Sequence, residues 1–167
     1  MTMTTTNWTA ENVRLERWTR GPLTVLETPA ARHNKALMER HFLAEWTGDI
    51  EATMSTMHPV QPFQRIPALG VEVVGQEPVR QYYLNRFAHW PGPVMGHFDR
   101  VTVTDTCLYT EGVLALAPEA QVAGGVRLVG PCVVVIGFRD GLIVGETVYA
   151  QTAGDLSVAR PPKPPAR

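Results

Sequence analysis

The spacing of apolar residues changes character along the chain. In the first half they recur every three or four positions, the signature of helices with one buried face. In the second half they alternate with polar residues, as half-buried strands do. Thr28-Pro29 marks a helix start, a capping hydroxyl followed by proline at the first helical position. That helix is predicted to run to about Trp46 and to stop before Gly48, with Leu37, Met38, His41, Phe42 and Glu45 on one face. Arg32, Lys35, Glu39 and Arg40 point away from the centre of that face. Asp49 caps a second helix with Ile50, Met54 and Met57 as its stripe, and Pro59 forces His58 into an extended conformation. Short strands are predicted at Pro62 to Ile66 and at Val71 to Val74. Glu77-Pro78 opens a third helix, whose stripe is Val79, Tyr82, Tyr83, Phe87 and Trp90 and which Pro91-Gly92-Pro93 ends.

Strands follow from His97 to Asp105, from Cys107 to Leu116, and from Val126 to Phe138 with a bend at Gly130-Pro131. Ala117 to Gly125 reads as a loop. Asp140-Gly141 is a tight hairpin turn returning into a last strand, Leu142 to Gln151. Helices first and strands second predict an α+β domain, with helices on one face of an antiparallel sheet. Residues 1–27 form an extension that the pattern does not assign beyond a short helix at VRLERW, with Met1 to Thr6 loose. Residues 153–167, with four prolines after Val158, read as a mobile, extended tail.

Composition narrows the function classes. The 167 residues fit one domain, and 44% hydrophobic content suffices for a core. Basic and acidic residues number 15 and 16, with no basic stripe, which speaks against a nucleic-acid partner. The longest apolar run, Cys132 to Phe138, is too short for a membrane span, and no signal peptide is visible, so a cytoplasmic protein is expected. Cys107 and Cys132 lie in apolar strands and read as buried free thiols. The five histidines are scattered without metal-ligand spacing, and no glycine-rich phosphate loop occurs, so no metal and no cofactor is expected.

Three segments carry a resemblance. WTGDIEATMSTMHP, VVGQEPVRQYY and VIGFRDGLIVGETVYAQ, in this order, resemble the helix break, third-helix opening and closing hairpin of the nuclear transport factor 2-like superfamily. The likeness covers about residues 30 to 152 and is nearest to the SnoaL-like polyketide cyclases. Ketosteroid isomerase, limonene epoxide hydrolase and scytalone dehydratase are more distant. The resemblance implies a domain over 28–152, a cone in which a curved, mixed sheet wraps around three helices and encloses an apolar pocket. It also implies a homodimer packed through the sheet face.

Candidate chemistry centres on Glu146. Alternation puts it on one face with Val144, Val148 and Ala150, an apolar setting that would raise its pKa and strengthen it as a base. This face turns either to the pocket or to the outer, dimer-forming side. His41 occupies the place of a catalytic tyrosine of ketosteroid isomerase relative to the Gly48-Asp49 break; it either serves a substrate oxygen or is a core histidine held by Glu45. His58 either lines the entrance or closes the second helix. His97 and Asp99 share a strand face and form either an acid/base pair or a solvated strand start. Trp46, Met54, Phe63, Tyr82, Tyr83 and Val148 would shape the cavity or fill the core.

Departures from the family patterns exclude simple transfer. Gln151 stands nearest to the SnoaL-like catalytic Asp, and no acid lies between His58 and Gly70 or within CVVVIGF, where ketosteroid isomerase keeps its two. The epoxide hydrolase set of two Asp and an Arg has no match. The expected function is a cofactor-independent acid/base enzyme on a small hydrophobic, carbonyl-bearing molecule, with Glu146 as base, His41 steadying the enolate oxygen or returning the proton, and Glu45 orienting His41. The alternative is a non-catalytic ligand-binding or dimerisation module.

Overall fold

The computed structural model describes residues 7–89, 95–114 and 127–153. The chain runs α1 (Leu15–Trp18), β1 (Leu23–Val25), α2 (Pro29–Thr47), α3 (Ile50–Thr56), β2 (Phe63–Ile66), a single 3-10 turn (Pro67–Leu69), β3 (Val71–Val74), α4 (Gln76–His89), β4 (Met95–Val103), β5 (Cys107–Leu114), β6 (Arg127–Arg139) and β7 (Leu142–Ala153). The seven strands form one mixed sheet in the order β1-β4-β5-β6-β7-β2-β3. β1 runs parallel to β4 and β2 parallel to β7; every other pairing is antiparallel.

Local chemistry sets the helix limits. The Thr28 hydroxyl accepts from the Ala31 amide at the start of α2, and Gly48, at φ 72°, ends it in the left-handed conformation that glycine adopts without strain. The Asp49 carboxylate caps α3 through the Ala52 amide. Both turns at the end of the sheet are tied back to α2. Asn34 donates to the carbonyls of Thr104 and Asp105, and His33 Nε2 lies 2.9 Å from the Gly141 carbonyl.

Burial alternates cleanly across the central strands, so the sheet has one covered face and one open face. Leu108, Thr110, Gly112 and Leu114 of β5 and Cys132, Val134, Ile136 and Phe138 of β6 point to the covered face. Register carries this face onto β7: Ile136 pairs with Glu146, Val134 with Val148 and Cys132 with Ala150. Bulges interrupt β4 at Gly96 and Asp99 and β6 at Gly130-Pro131, where the sequence predicted a bend. The core joins this face to Leu37, Met38, Phe42 and Trp46 of α2 and to Val79 and Tyr83 of α4.

Three features differ from the sequence reading. β1 has only three residues, too few for a period to show, yet it adds a parallel edge to the sheet. The buried side of α3 is Thr53 and Thr56, while Ile50 and Met54 are half-buried and Met57 lies past the helix end. Cys107 is half-buried rather than buried, with its sulfur 3.4 Å from the Thr104 hydroxyl; Cys132 is buried, and neither forms a disulfide. The loose start, Trp90, the Pro91-Gly92-Pro93 stop, the Ala117 to Gly125 loop and the proline-rich tail fall outside the described residues. No helix among those described is long and apolar enough to cross a membrane.

Candidate active site

A chain of buried polar groups crosses from β7 to the helices. Gln64 and Glu146 are register partners in the parallel β2–β7 pair. The Gln64 amide nitrogen donates to Glu146 Oε2 at 2.9 Å and to the Tyr83 hydroxyl at 2.5 Å. Tyr83 Oη lies 3.3 Å from His41 Nε2, which is 3.2 Å from Glu45 Oε1. The other oxygen of Glu45 is 3.3 Å from Arg86 Nη1. His41 Nδ1 sits 2.6 Å from the Thr56 hydroxyl, which donates to the Thr53 carbonyl. His41, Glu45, Gln64, Tyr83 and Arg86 are all buried; Glu146 keeps a partly exposed surface.

The two acids are driven in opposite directions. Burial alone would raise Glu45, but the adjacent Arg86 guanidinium, then His41, outweigh it and bring its carboxyl down to about 2. Glu45 is therefore a fixed anion. Burial raises Glu146, and the negative Glu45 raises it further, against the Gln64 hydrogen bond, His41 and Arg86. The residue exposure of Glu146 and its strong desolvation are compatible, because its carboxyl end is the part that enters the network. Burial also keeps the Tyr83 phenol protonated, and pushes the Cys132 thiol up to about 11, with Glu146 and Asp99 adding to the effect.

Two acids with divergent environments are the arrangement from which acid and base roles arise. Glu146 is the one whose carboxyl is held above the ordinary carboxylate range, by burial first and then by the negative Glu45. Among the described residues, Gln64 Oε1, Arg86 Nη2 and Thr110 Oγ1 are buried without a hydrogen-bond partner, while Arg86 Nη1 meets Glu45 as an ion pair without hydrogen-bond geometry. Of these groups, Gln64 and Thr110 lie on the covered face of the sheet and Arg86 on the helix opposite.

No protein-family model and no curated protein matches the chain. Solved structures do. A nuclear transport factor 2-like protein from Anabaena variabilis aligns with a TM-score of 0.58 at 15% identity, over 80% of this chain and 98% of its own. A candidate SnoaL-like polyketide cyclase from Shewanella denitrificans aligns at 0.57 and 9% identity, over 74% and 92%. A protein of unknown function from Burkholderia xenovorans aligns at 0.52 and 21% identity, over 78% and 95%. The fold is that of the nuclear transport factor 2-like superfamily. At these identities the likeness establishes the fold and leaves the chemistry to the residues.

Within this nuclear transport factor 2-like fold, five of the sequence-predicted site residues lie in or beside the network. Glu146, His41, Glu45 and Tyr83 are members of it, and Tyr82 packs edge-on against Tyr83 with ring centroids 5.4 Å apart. Val148 lies on the same covered face of β7, and Met54, half-buried on α3, packs against the core. Three others go elsewhere. Phe63 lies over Gly145 on the opposite face of the sheet from Glu146, with the Arg65 guanidinium 4.6 Å from its ring centroid. Trp46 is buried against Trp8 and Trp18, at 4.9 and 4.6 Å between centroids, where the N-terminal segment closes the core. His58 holds the β6–β7 turn: the Val60 amide donates to its Nδ1 at 3.1 Å, and its Nε2 is 3.6 Å from Asp140. His97 and Asp99 pair at 3.1 Å on the partly exposed bulge of β4.

The sequence reading missed Arg86, Gln64 and Thr56. Arg86 had a visible signal, because Val79, Tyr83 and Arg86 follow helical spacing and a charge on an apolar stripe demands a buried partner. Gln64 shares a strand face with Ile66, which marks it as inward, but its pairing with Glu146 depends on a parallel register between segments some eighty residues apart in sequence. The fold thereby gathers two acids and an arginine, Glu45, Arg86 and Glu146, a grouping that the sequence alone did not disclose.

Proposed function

We propose that this chain is an acid/base enzyme, working without a cofactor on a small hydrophobic molecule that carries a carbonyl group, and that Glu146 is its base. The divergence of Glu146 from Glu45 carries this reading: one buried carboxyl is pinned as an anion and the other is raised toward the range useful for proton exchange. The ionised Glu146 takes a proton from the carbon next to the substrate carbonyl. The C–H electron pair becomes the carbon–carbon double bond of an enolate, and the carbonyl oxygen takes the charge. Cyclisation, isomerisation or dehydration can proceed from that enolate, in keeping with the candidate polyketide cyclase that shares the fold. Arg86, ion-paired with Glu45 through Nη1 and with Nη2 lacking a hydrogen-bond partner, supplies a donor to the same region.

The role of His41 is narrower than its place on α2 first implied. Both ring nitrogens are engaged by protein atoms, Nδ1 by Thr56 and Nε2 by Glu45 and Tyr83. His41 and Glu45 thus serve as a positioning unit behind Tyr83. The test is exchange of the C–H beside the carbonyl of 2-tetralone in deuterium oxide, followed by proton NMR. The wild type is expected to exceed buffer, and Glu146→Gln to lose about 10²–10⁴-fold. Exchange no faster than buffer, or undiminished in the variant, defeats the assignment.

A second reading has its own observation. Tyr109, Val133 and Tyr149 lie on the open face of the sheet with 48%, 37% and 55% exposure. Such residues support a homodimer through this face, whether the chain is catalytic or only a ligand-binding or dimerisation module.

A further inference from the structure

We propose that Gln64 is a positioning residue for Glu146: its amide clamps the carboxylate from the neighbouring strand and, at the same time, fixes where the proton of Tyr83 points. The two N–H bonds of one amide nitrogen are both spent, on Glu146 Oε2 at 2.9 Å and on Tyr83 Oη at 2.5 Å. An amide nitrogen can only donate, so both partners must accept. The opposite orientation would set the amide oxygen against an ionised carboxylate, which offers it no proton. Tyr83, having accepted from Gln64, turns its own O–H toward His41 Nε2 or the Glu45 carboxylate.

This polarity separates the two halves of the network. An N–H donor between two acceptors passes no proton from one to the other. A proton collected by Glu146 therefore is not relayed through Gln64 to Tyr83, His41 or Glu45. Gln64 Oε1, buried without a hydrogen-bond partner, is the acceptor in reserve: once Glu146 carries a proton, a half-turn of the amide presents this oxygen to the new O–H. Gln64 is 1% exposed, so bulk water does not reach either atom. The groups acting on Glu146 from every side are Glu45 and His41 of α2, Tyr82, Tyr83 and Arg86 of α4, Cys132 of β6 and Gln64 itself.

The catalytic meaning of this clamp rests on Glu146 being the base, but its test needs no substrate. In protein labelled with ¹³C at glutamate side chains, the Glu146 carboxyl is titrated by NMR in wild type, Gln64→Met and Gln64→Asn. Gln64→Met keeps the length and removes the donor, so the midpoint is expected to move upward; Gln64→Asn, too short to reach both partners, should fall between. A folded Gln64→Met with an unmoved midpoint overturns the proposal. Should that variant not fold, the wild-type Gln64 side-chain amide signals decide: they must inflect at the Glu146 midpoint, and signals flat across it overturn the proposal equally. A midpoint that responds to Gln64 while Glu146→Gln retains full exchange activity upholds the clamp and removes the catalytic reading. A midpoint indifferent to Gln64 while Glu146→Gln is inactive does the reverse.

Discussion

The carboxylate of Glu45 lies 3.3 Å from the guanidinium of Arg86, with both side chains shut away from solvent between α2 and α4. Neither charge would survive there alone. Taking an ion out of water costs several kcal/mol, and only a close opposite charge offsets it. The pair thus fixes an anion inside the domain, and Glu45 adds to the burial that raises the second acid, Glu146, while Arg86 opposes it. The site is organised by what the helices bury as much as by the strand that carries the base.

Removing one partner should therefore cost more than removing both. Arg86→Met is expected to destabilise the fold by about 3–5 kcal/mol, because it strands the Glu45 charge. Adding Glu45→Gln to that variant should recover much of the loss. Urea unfolding of the two single variants and the double variant checks this through a double-mutant cycle. Additive losses would mean that the two side chains do not act as a pair.

Stability should respond to pH in two opposed ways. Glu45 has a folded pKa below its ordinary 4.5, so its contribution is present above about pH 4.5 and is lost as pH falls toward about 2. Glu146 has a folded pKa above its ordinary value, so its ionisation opposes folding increasingly as pH rises from 4.5. Glu146→Gln should accordingly be more stable than wild type at neutral and alkaline pH, and no more stable at pH 3. Thermal unfolding of both proteins across pH 3–9 reads the difference. A variant that loses stability at neutral pH contradicts the sign.

The open face of the sheet carries a separate expectation. Tyr149 and Val133 are opposite one another across β6 and β7, and Tyr109 on β5 faces the same way one pair along, opposite Val135. If two copies pack through this face, Tyr149→Lys with Val133→Lys puts charges where apolar area was covered. Light scattering coupled to gel filtration should then show a dimer for wild type and a monomer for the double variant. The same protein should keep its Glu146 titration, since that residue lies on the other face. A wild-type monomer at all accessible concentrations removes this surface from consideration.

Much of the fold was legible because its punctuation is chemical. Thr28-Pro29, Gly48-Asp49 and Asp140-Gly141 each do locally what the residue types dictate, and the limits of α2, α3 and the last hairpin follow. Glu146 was legible as well, since alternation alone places it with Val148 on one face. What surrounds it was not. Gln64 reaches Glu146 through a parallel pairing whose register comes from tertiary packing, and Thr56 meets His41 only because α3 folds back on α2. Trp46 and Phe63 were left open between cavity and core for a related reason: an aromatic residue is as suited to sealing a core or a sheet face as to lining a cavity, and neighbours remote in sequence decide which.

The β2–β7 junction that brings Gln64 to Glu146 depends on a residue without a side chain. Gly145 pairs with Phe63, and a Cβ at this position would run into the Phe63 ring. Gly145→Ala must therefore push β2 outward or rotate Phe63 off the sheet, an overpacking cost of about 1–3 kcal/mol. Because Gln64 follows Phe63 directly, the same displacement should weaken the amide clamp on Glu146. Shortening the obstacle should repair it: Gly145→Ala combined with Phe63→Ala is expected to regain stability relative to Gly145→Ala alone, and to restore the Glu146 titration midpoint. Chemical denaturation and ¹³C NMR of these variants test both parts. Stability that falls further in the double variant would show that the Phe63 ring supports the junction by more than filling the space above Gly145.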